Sequence, residues 1–187
     1  MILKQALIQS HEYARCIINE GDTVVDATMG NGNDTVFLSE LVGNTGKVYA
    51  FDIQEEALKN TAARLSQKNL SKRCVLICDS HDKMADYIRE PIKLVMFNLG
   101  YRPGGDHSIA TTGVSTMKAV YTALEKLVIH GLLILVIYHG GDSGFEERNY
   151  LLQELPKIDP ESFAVMMTSY LNLSNNPPIL VCIERIR

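Results

Sequence analysis

The sequence predicts an α/β protein built on a doubly wound, mostly parallel sheet that ends in an antiparallel hairpin. Three observations carry this prediction. Short apolar, β-branched runs recur along the chain, most of them continuous rather than alternating, as strands covered on both faces require. Stretches of helical periodicity separate them, so strand and helix alternate. Near the end, two apolar runs are joined only by the turn-rich "SNNPP", too short for a crossover helix, so they must pair antiparallel.

Taken in order, Leu3 to Asn19 makes an amphipathic helix with Ala6, Leu7, Ala14, Ile17 and Ile18 on its apolar face. Strands are predicted at Thr23 to Ala27, Lys47 to Phe51, Cys74 to Cys78, Ile92 to Phe97 and Leu132 to Tyr138. Helices fall between or after them, at Asp34 to Leu41, Glu55 to Lys68, His81 to Ile88, Val114 to Val128 and Gly144 to Leu155. In the helix from Glu55, residues Ala57, Leu58, Thr61, Ala62 and Leu65 share one face and leave Glu55, Lys59, Arg64 and Lys68 for solvent. Phe163 to Leu171 and Ile179 to Arg185 form the hairpin. With 187 residues, 46% hydrophobic, and no internal repeat or linker, the chain reads as one domain over residues 1–187.

Composition narrows the class. The N-terminal stretch reaches Glu12 and Arg15 without a long apolar run, so neither a secretory signal nor a membrane span is expected, and the default location is cytoplasmic. The net charge of −4 gives no general electrostatic reason to bind nucleic acid, so an RNA substrate would need a local basic patch. The four cysteines are scattered, and their spacing suits buried free thiols rather than disulfides or a metal site.

The segment "VVDATMGNGNDT", Val24 to Thr35, drops from a strand into a loop built on Gly30 and Gly32. A P-loop needs Lys and Ser or Thr after its last glycine, and here Asn33 and Asp34 follow. A dinucleotide loop needs a third glycine where Thr35 stands, and Asp34 near the helix N-terminus would repel a diphosphate. A zwitterionic, phosphate-free ligand tolerates these carboxylates, and S-adenosylmethionine has that character. Asp26, ending the first strand, can face the methionine ammonium, while Gly30 and Gly32 permit close backbone approach. Asp52 ends the second strand, placed for ribose hydroxyls, and Asp79 ends the third, placed for the adenine amino group. Any one of these acids, or Ser80, could be an ordinary helix cap; three at successive strand ends point to one sheet edge.

At this point the chain resembles class I S-adenosylmethionine-dependent methyltransferases, whose Rossmann-like, seven-stranded sheet ends in a similar hairpin. "DATMGNGNDTVFL" from Asp26, "FDIQ" from Phe51, "DSH" from Asp79, "NLGYRPGGD" from Asn98 and "YHGGDSG" from Tyr138 narrow the match. Together they look like a small bacterial rRNA methylase family whose members are now assigned as tRNA 5-(aminomethyl)-2-thiouridine methyltransferases. The resemblance implies that the exocyclic amine of a wobble uridine receives the methyl, with the anticodon region of tRNA as partner. It also extends the cofactor set to Asn31, Asn33, Asp34, Gln54, Ser80, His81 and Asn98.

The chemistry of the residues agrees with amine methylation. Asn98 ends the fourth strand, and "NLGY" resembles the Asn-Pro-Pro-Tyr tetrapeptide of amine-modifying methyltransferases. An attacking amine must aim its lone pair at the methyl carbon, so acceptors are needed for its N–H groups. The Asn98 side-chain oxygen and the Leu99 carbonyl can supply them, Gly100 allows close approach, and Tyr101 can stack on a base. Methylation of a ring carbon would need a cysteine near this strand end, and none is there. Asp106, His107, His139 and Asp142 are candidates to take the amine's proton, with His139 and Asp142 favoured as orienting or deprotonating groups. A buried, hydrogen-bonded His139 stays open. His81 can cap its helix or face the cofactor, and His11 and His130 read as structural. Arg102, Lys118 and Arg148 are the candidate RNA contacts, Arg102 foremost because it follows Tyr101. The acceptor could also be another RNA base or a small-molecule amine, and a non-catalytic RNA-binding module is the reading from another class. No metal is required, and a homodimer stays open.

Overall fold

The protein is described here by a computed structural model covering residues 2–100, 112–139 and 142–187. Helix α1 (Ala6–Ile17) precedes β1 (Thr23–Asp26), α2 (Asn33–Leu41), β2 (Lys47–Asp52), α3 (Glu55–Gln67) and β3 (Cys74–Cys78). Then follow α4 (Met84–Tyr87), β4 (Ile92–Leu99), α5 (Gly113–Lys126), β5 (Leu127–Ile137), α6 (Asp142–Glu154), β6 (Phe163–Thr168) and β7 (Ile179–Arg185). The seven strands form one sheet in the order β3-β2-β1-β4-β5-β7-β6. β1 pairs parallel with β2 and β4, β2 with β3, and β4 with β5; β7 runs antiparallel to both β5 and β6. The doubly wound sheet and its closing hairpin are therefore as the sequence predicts.

Why the strands read as continuous apolar runs is visible in the register. Val25, Tyr49, Val95 and Leu133 lie in one row across the sheet, beside the row of Val24, Val48, Leu94 and Leu132. The first row packs under α5 with Met117, Val120 and Leu124, and the second under α1 and α2 with Ala14, Leu38 and Val42. Both faces are dry, so neither set of alternating positions can be polar. Asp26 stands at the end of β1 in register with Ala50 and Met96, one position beyond Val25, and so points to the face covered by α1 and α2.

Four elements depart from the sequence prediction by three residues or more, among them the helix expected over His81 to Ile88, of which only Met84–Tyr87 is α-helical. α1 is shorter than Leu3 to Asn19, and β6 stops at Thr168 rather than running to Leu171. β5 begins at Leu127, where a helical reading was expected to Val128. The register with β4 jumps from Ile92 against Leu127 to Leu94 against Leu132, a bulge in which His130 takes φ 58°. The helical periodicity of α5 runs straight into this bulge, with no glycine until Gly131 to mark the change.

Gly32 shows what the second glycine of the loop is for. It caps α2 at φ 78°, and a Cβ there would lie 2.6 Å from Thr61 Oγ1 and 3.0 Å from Thr61 Cα on α3. The glycine thus lets α3 close against the start of α2. Gly32→Ala should cost about 1–3 kcal/mol of stability through left-handed strain and this collision. Urea denaturation of the two proteins checks it, and equal midpoints would show that α3 yields freely.

Candidate active site

The order of strands reverses at β1, which lies between β2 and β4, and the crevice beyond the carboxyl ends of such strands is where open α/β sheets bind ligands. The residues leaving β1 stay tied to both neighbours. Ala27 N–H donates to the Met96 carbonyl of β4, and Met29 N–H donates to the Phe51 carbonyl of β2, each at 2.8 Å. Gly30, at φ 50°, then donates its N–H to Asp52 Oδ2 at 2.9 Å, while Gln54 N–H donates to Oδ1 of the same carboxylate at 2.9 Å. One oxygen of Asp52 thus ties the glycine loop and the other its own turn at Gln54, and the residue sits half-buried at the end of β2.

Asp26 has no solvent exposure. Thr35 Oγ1 donates to its Oδ2 at 2.6 Å and Thr28 N–H to its Oδ1 at 3.1 Å. Burial, and then the negative charge of Asp34, push this carboxyl from 3.8 up to about 7, with Asp52 adding a smaller push. Asp34 is also buried. It accepts from His11 Nε2–H on α1 at 2.7 Å and from Asn98 Nδ2–H at 3.1 Å. The backbone N–H of Asn98 donates in turn to Thr28 Oγ1 at 2.7 Å. Asn98 is thereby held at both its backbone and its side chain, beside a group of carboxylates that suits a ligand carrying positive charge.

The other expected residues divide. Gly100 permits the close packing of Tyr138, because a Cβ there would lie 3.0 Å from Tyr138 Cβ. The Leu99 carbonyl, expected to accept from an amine, accepts from Tyr138 N–H at 2.8 Å. Asn33 is exposed and its Oδ1 accepts from Arg64 on α3, while Asn31 is half-buried on the loop. Asp79 accepts from Lys83 Nζ at 2.7 Å, from Tyr87 OH at 2.8 Å and from Ser80 N–H at 2.8 Å. These bonds, Lys83 foremost, hold its carboxyl down at about 2. His81 opens the turn after β3, is 5% exposed, and donates Nδ1–H to the Ala27 carbonyl at 3.1 Å. Burial pushes its pKa down, so it is the neutral ring that faces the core.

His139 is buried, and its Nδ1 accepts from Arg148 Nη1 at 3.4 Å while the Arg148 guanidinium lies 4.9 Å over Phe145. Arg148 is thus committed within the protein, and Lys118, the second candidate RNA contact, pairs with Asp82 at 3.0 Å. Tyr101, Arg102, Asp106 and His107 lie outside the described residues; Asp142 begins α6, and its side chain is likewise outside them. Among the described residues there is no cluster able to hold a metal ion and no helix long and apolar enough to cross a membrane. Sequence reasoning did not place His11, Thr28, Thr35 or Tyr138 at this edge. His11 precedes the loop by a whole strand, and Thr35 was weighed only as the residue standing where a third glycine would be; only Tyr138, next to "HGGD", carried a local signal.

A protein-family model described as "Putative rRNA methylase" matches residues 48–184. The tRNA (mnm(5)s(2)U34)-methyltransferase, chloroplastic, of Arabidopsis thaliana is 40% identical over 154 residues, which make up 77% of this chain and 56% of that enzyme. The chain thus spans little more than half the length of this plant relative. Among solved structures, a protein of the same rRNA methylase description from Clostridium thermocellum aligns with TM-score 0.97 and 52% identity over 98% of this chain and 99% of that one. A protein from Streptococcus mutans, described as a methyltransferase and solved in complex with SAH, aligns with TM-score 0.90 and 41% identity over 98% and 99% of the two chains.

The raised carboxyl of Asp26 has a sign that can be measured. A carboxyl that holds its proton to about 7 when folded and only to 3.8 when free contributes stability below pH 3.8 that is lost as pH rises through 7. Asp26→Asn lacks this loss. The thermal midpoint of the wild type, taken relative to that of the variant, should therefore fall between pH 5 and pH 8; parallel curves would show that Asp26 is already ionised at the lower pH.

Proposed function

The chain belongs to this rRNA methylase family, and we propose that it methylates the exocyclic amine of 5-aminomethyl-2-thiouridine at the wobble position of tRNA, using S-adenosylmethionine and giving 5-methylaminomethyl-2-thiouridine. The observation that carries the reading is Asn98. Its amide nitrogen is committed to Asp34, so its oxygen lies on the opposite branch, as an acceptor for the N–H of an amine at the end of β4. The plant relative's named substrate, a modified U34 of tRNA, supplies the acceptor, and the SAH complex of the Streptococcus mutans protein supplies the cofactor.

The chain's own residues fit that cofactor. When bound, S-adenosylmethionine supplies a methyl group on a positively charged sulfur, already activated for displacement. Asp26 and Asp34 provide negative charge for its ammonium, Asp52 has lone pairs left for ribose hydroxyls, and Asp79 and His81 border the adenine side. Gly30 leaves the loop backbone bare beside Asp52. The Asp26 carboxyl, pushed up to about 7 chiefly by burial, loses its proton more readily once a cation is near.

Asn98 orients the acceptor amine, and Tyr138, packed on Gly100 and 40% exposed, offers an aromatic face beside it. His139, accepting from Arg148 at Nδ1, presents Nε2–H to its surroundings. That makes it an orienting donor, and taking up the amine's proton falls to a carboxylate or to water. Holding reactants in line is the main catalytic contribution, which for a well-set amine is worth several powers of ten.

Incubation of the protein with S-adenosylmethionine and tRNA bearing 5-aminomethyl-2-thiouridine, followed by digestion and mass spectrometry, tests the reading. A methyl gain on that nucleoside alone is expected. Gain only on another base or on a small amine would move the acceptor, and no cofactor binding by calorimetry would leave a binding module. Asn98→Ala should lower kcat by roughly a hundredfold while cofactor affinity stays near wild type.

A further inference from the structure

His11 belongs to none of the motifs and comes before the first strand, yet it reaches the end of the fourth. Its side chain is 23% exposed. It stacks on Phe37 of α2 with ring centroids 4.0 Å apart and planes inclined by 16°. Held flat in this way, the ring directs Nε2–H at Asp34 Oδ1, 2.7 Å away. The other oxygen of Asp34 takes Asn98 Nδ2–H at 3.1 Å. Side chains from α1, α2 and β4 thus form one line from the surface to the acceptor edge.

The polarity of that line decides which way Asn98 faces. An ionised carboxylate only accepts, so the amide must turn its nitrogen toward Asp34 and carry its oxygen on the other branch. A proton on Asp34 would make it a donor and remove the reason for that choice. The N–H of His11 fills Asp34 Oδ1 with a donor of its own, which leaves Oδ2 as the accepting oxygen that meets Asn98.

We propose that His11 is a positioning residue for methyl transfer, which through Asp34 holds the Asn98 amide with its oxygen presented to the acceptor amine. The catalytic meaning rests on the function proposed above; the orientation of the amide does not.

Two measurements keep those apart. In 15N-labelled protein without cofactor, the Asn98 side-chain NH2 signal, identified by its loss in Asn98→Ala, should shift in His11→Ala. It should return toward the wild-type position in His11→Gln, whose amide keeps a donor. A signal unmoved by His11→Ala overturns the proposal. In turnover with S-adenosylmethionine and tRNA bearing 5-aminomethyl-2-thiouridine, His11→Ala should lower kcat roughly ten- to a hundredfold with cofactor affinity unchanged, and His11→Gln should recover most of it. In an Asn98→Ala background, His11→Ala should change kcat by less than about twofold. Fully additive losses overturn the proposal. Should the wild type leave that tRNA unmethylated, the acceptor assignment falls, and the amide signal alone decides the role of His11.

Discussion

The site depends on a central strand that keeps bonding sideways after it has stopped being a strand. β1 is four residues long, and beyond it Ala27 and Met29 still donate to carbonyls of β4 and β2 respectively. The backbone polar groups of a loop buried at a sheet edge must find partners, and here the two flanking strands supply them. The glycine loop is consequently stitched into the crevice rather than draped over it. Asp52 adds a third tie at Gly30.

On this frame the site concentrates negative charge where burial makes it expensive. Asp26 is fully buried and Asp34 nearly so; burial first, and then the charge of Asp34, push the Asp26 carboxyl up to about 7. Asp79 meets the opposite treatment just beyond the end of β3, where Lys83 and Tyr87 keep it ionised. Carboxylates that look alike in the sequence thus serve differently: one stores a proton, one points a neighbouring amide, one ties a loop. Such divergence among like groups is a usual mark of a functional edge.

Much of the fold was legible because both sheet faces are covered. Continuous apolar runs betrayed the parallel strands, and the short "SNNPP" link betrayed the hairpin. The acids at the ends of β1 and β2 and after β3, and Asn98 at the end of β4, were also readable, since strand ends are where the period breaks. What stayed hidden depends on direction and on distance along the chain. The full burial of Asp26 could not be read, because it follows from its place in the register, which turns it under α2 against Thr35. The Leu99 carbonyl was expected to be open, but β5 ends beside it and Tyr138 takes it. His11 could not be found at all, because nothing local links a histidine on the first helix to an asparagine on the fourth strand. The bulge at His130 hid the start of β5 for a simpler reason, in that Leu127 continues the helical spacing of Val120, Ala123 and Leu124.

The platform of α1 carries a consequence for how the molecule comes into being. Ala6, Ala14 and Ile18 bury themselves against Leu132, Ile134, Val136, Leu180 and Cys182 of β5 and β7. The helix leaves the ribosome ahead of every strand, yet the surface it rests on is among the last to be synthesised. Pairings of such long sequence separation form late. A nascent chain already carrying the whole glycine loop and α2 still lacks the strands on which α1 rests, so the helix that brings His11 to α2 settles only once β5 and β7 have been made.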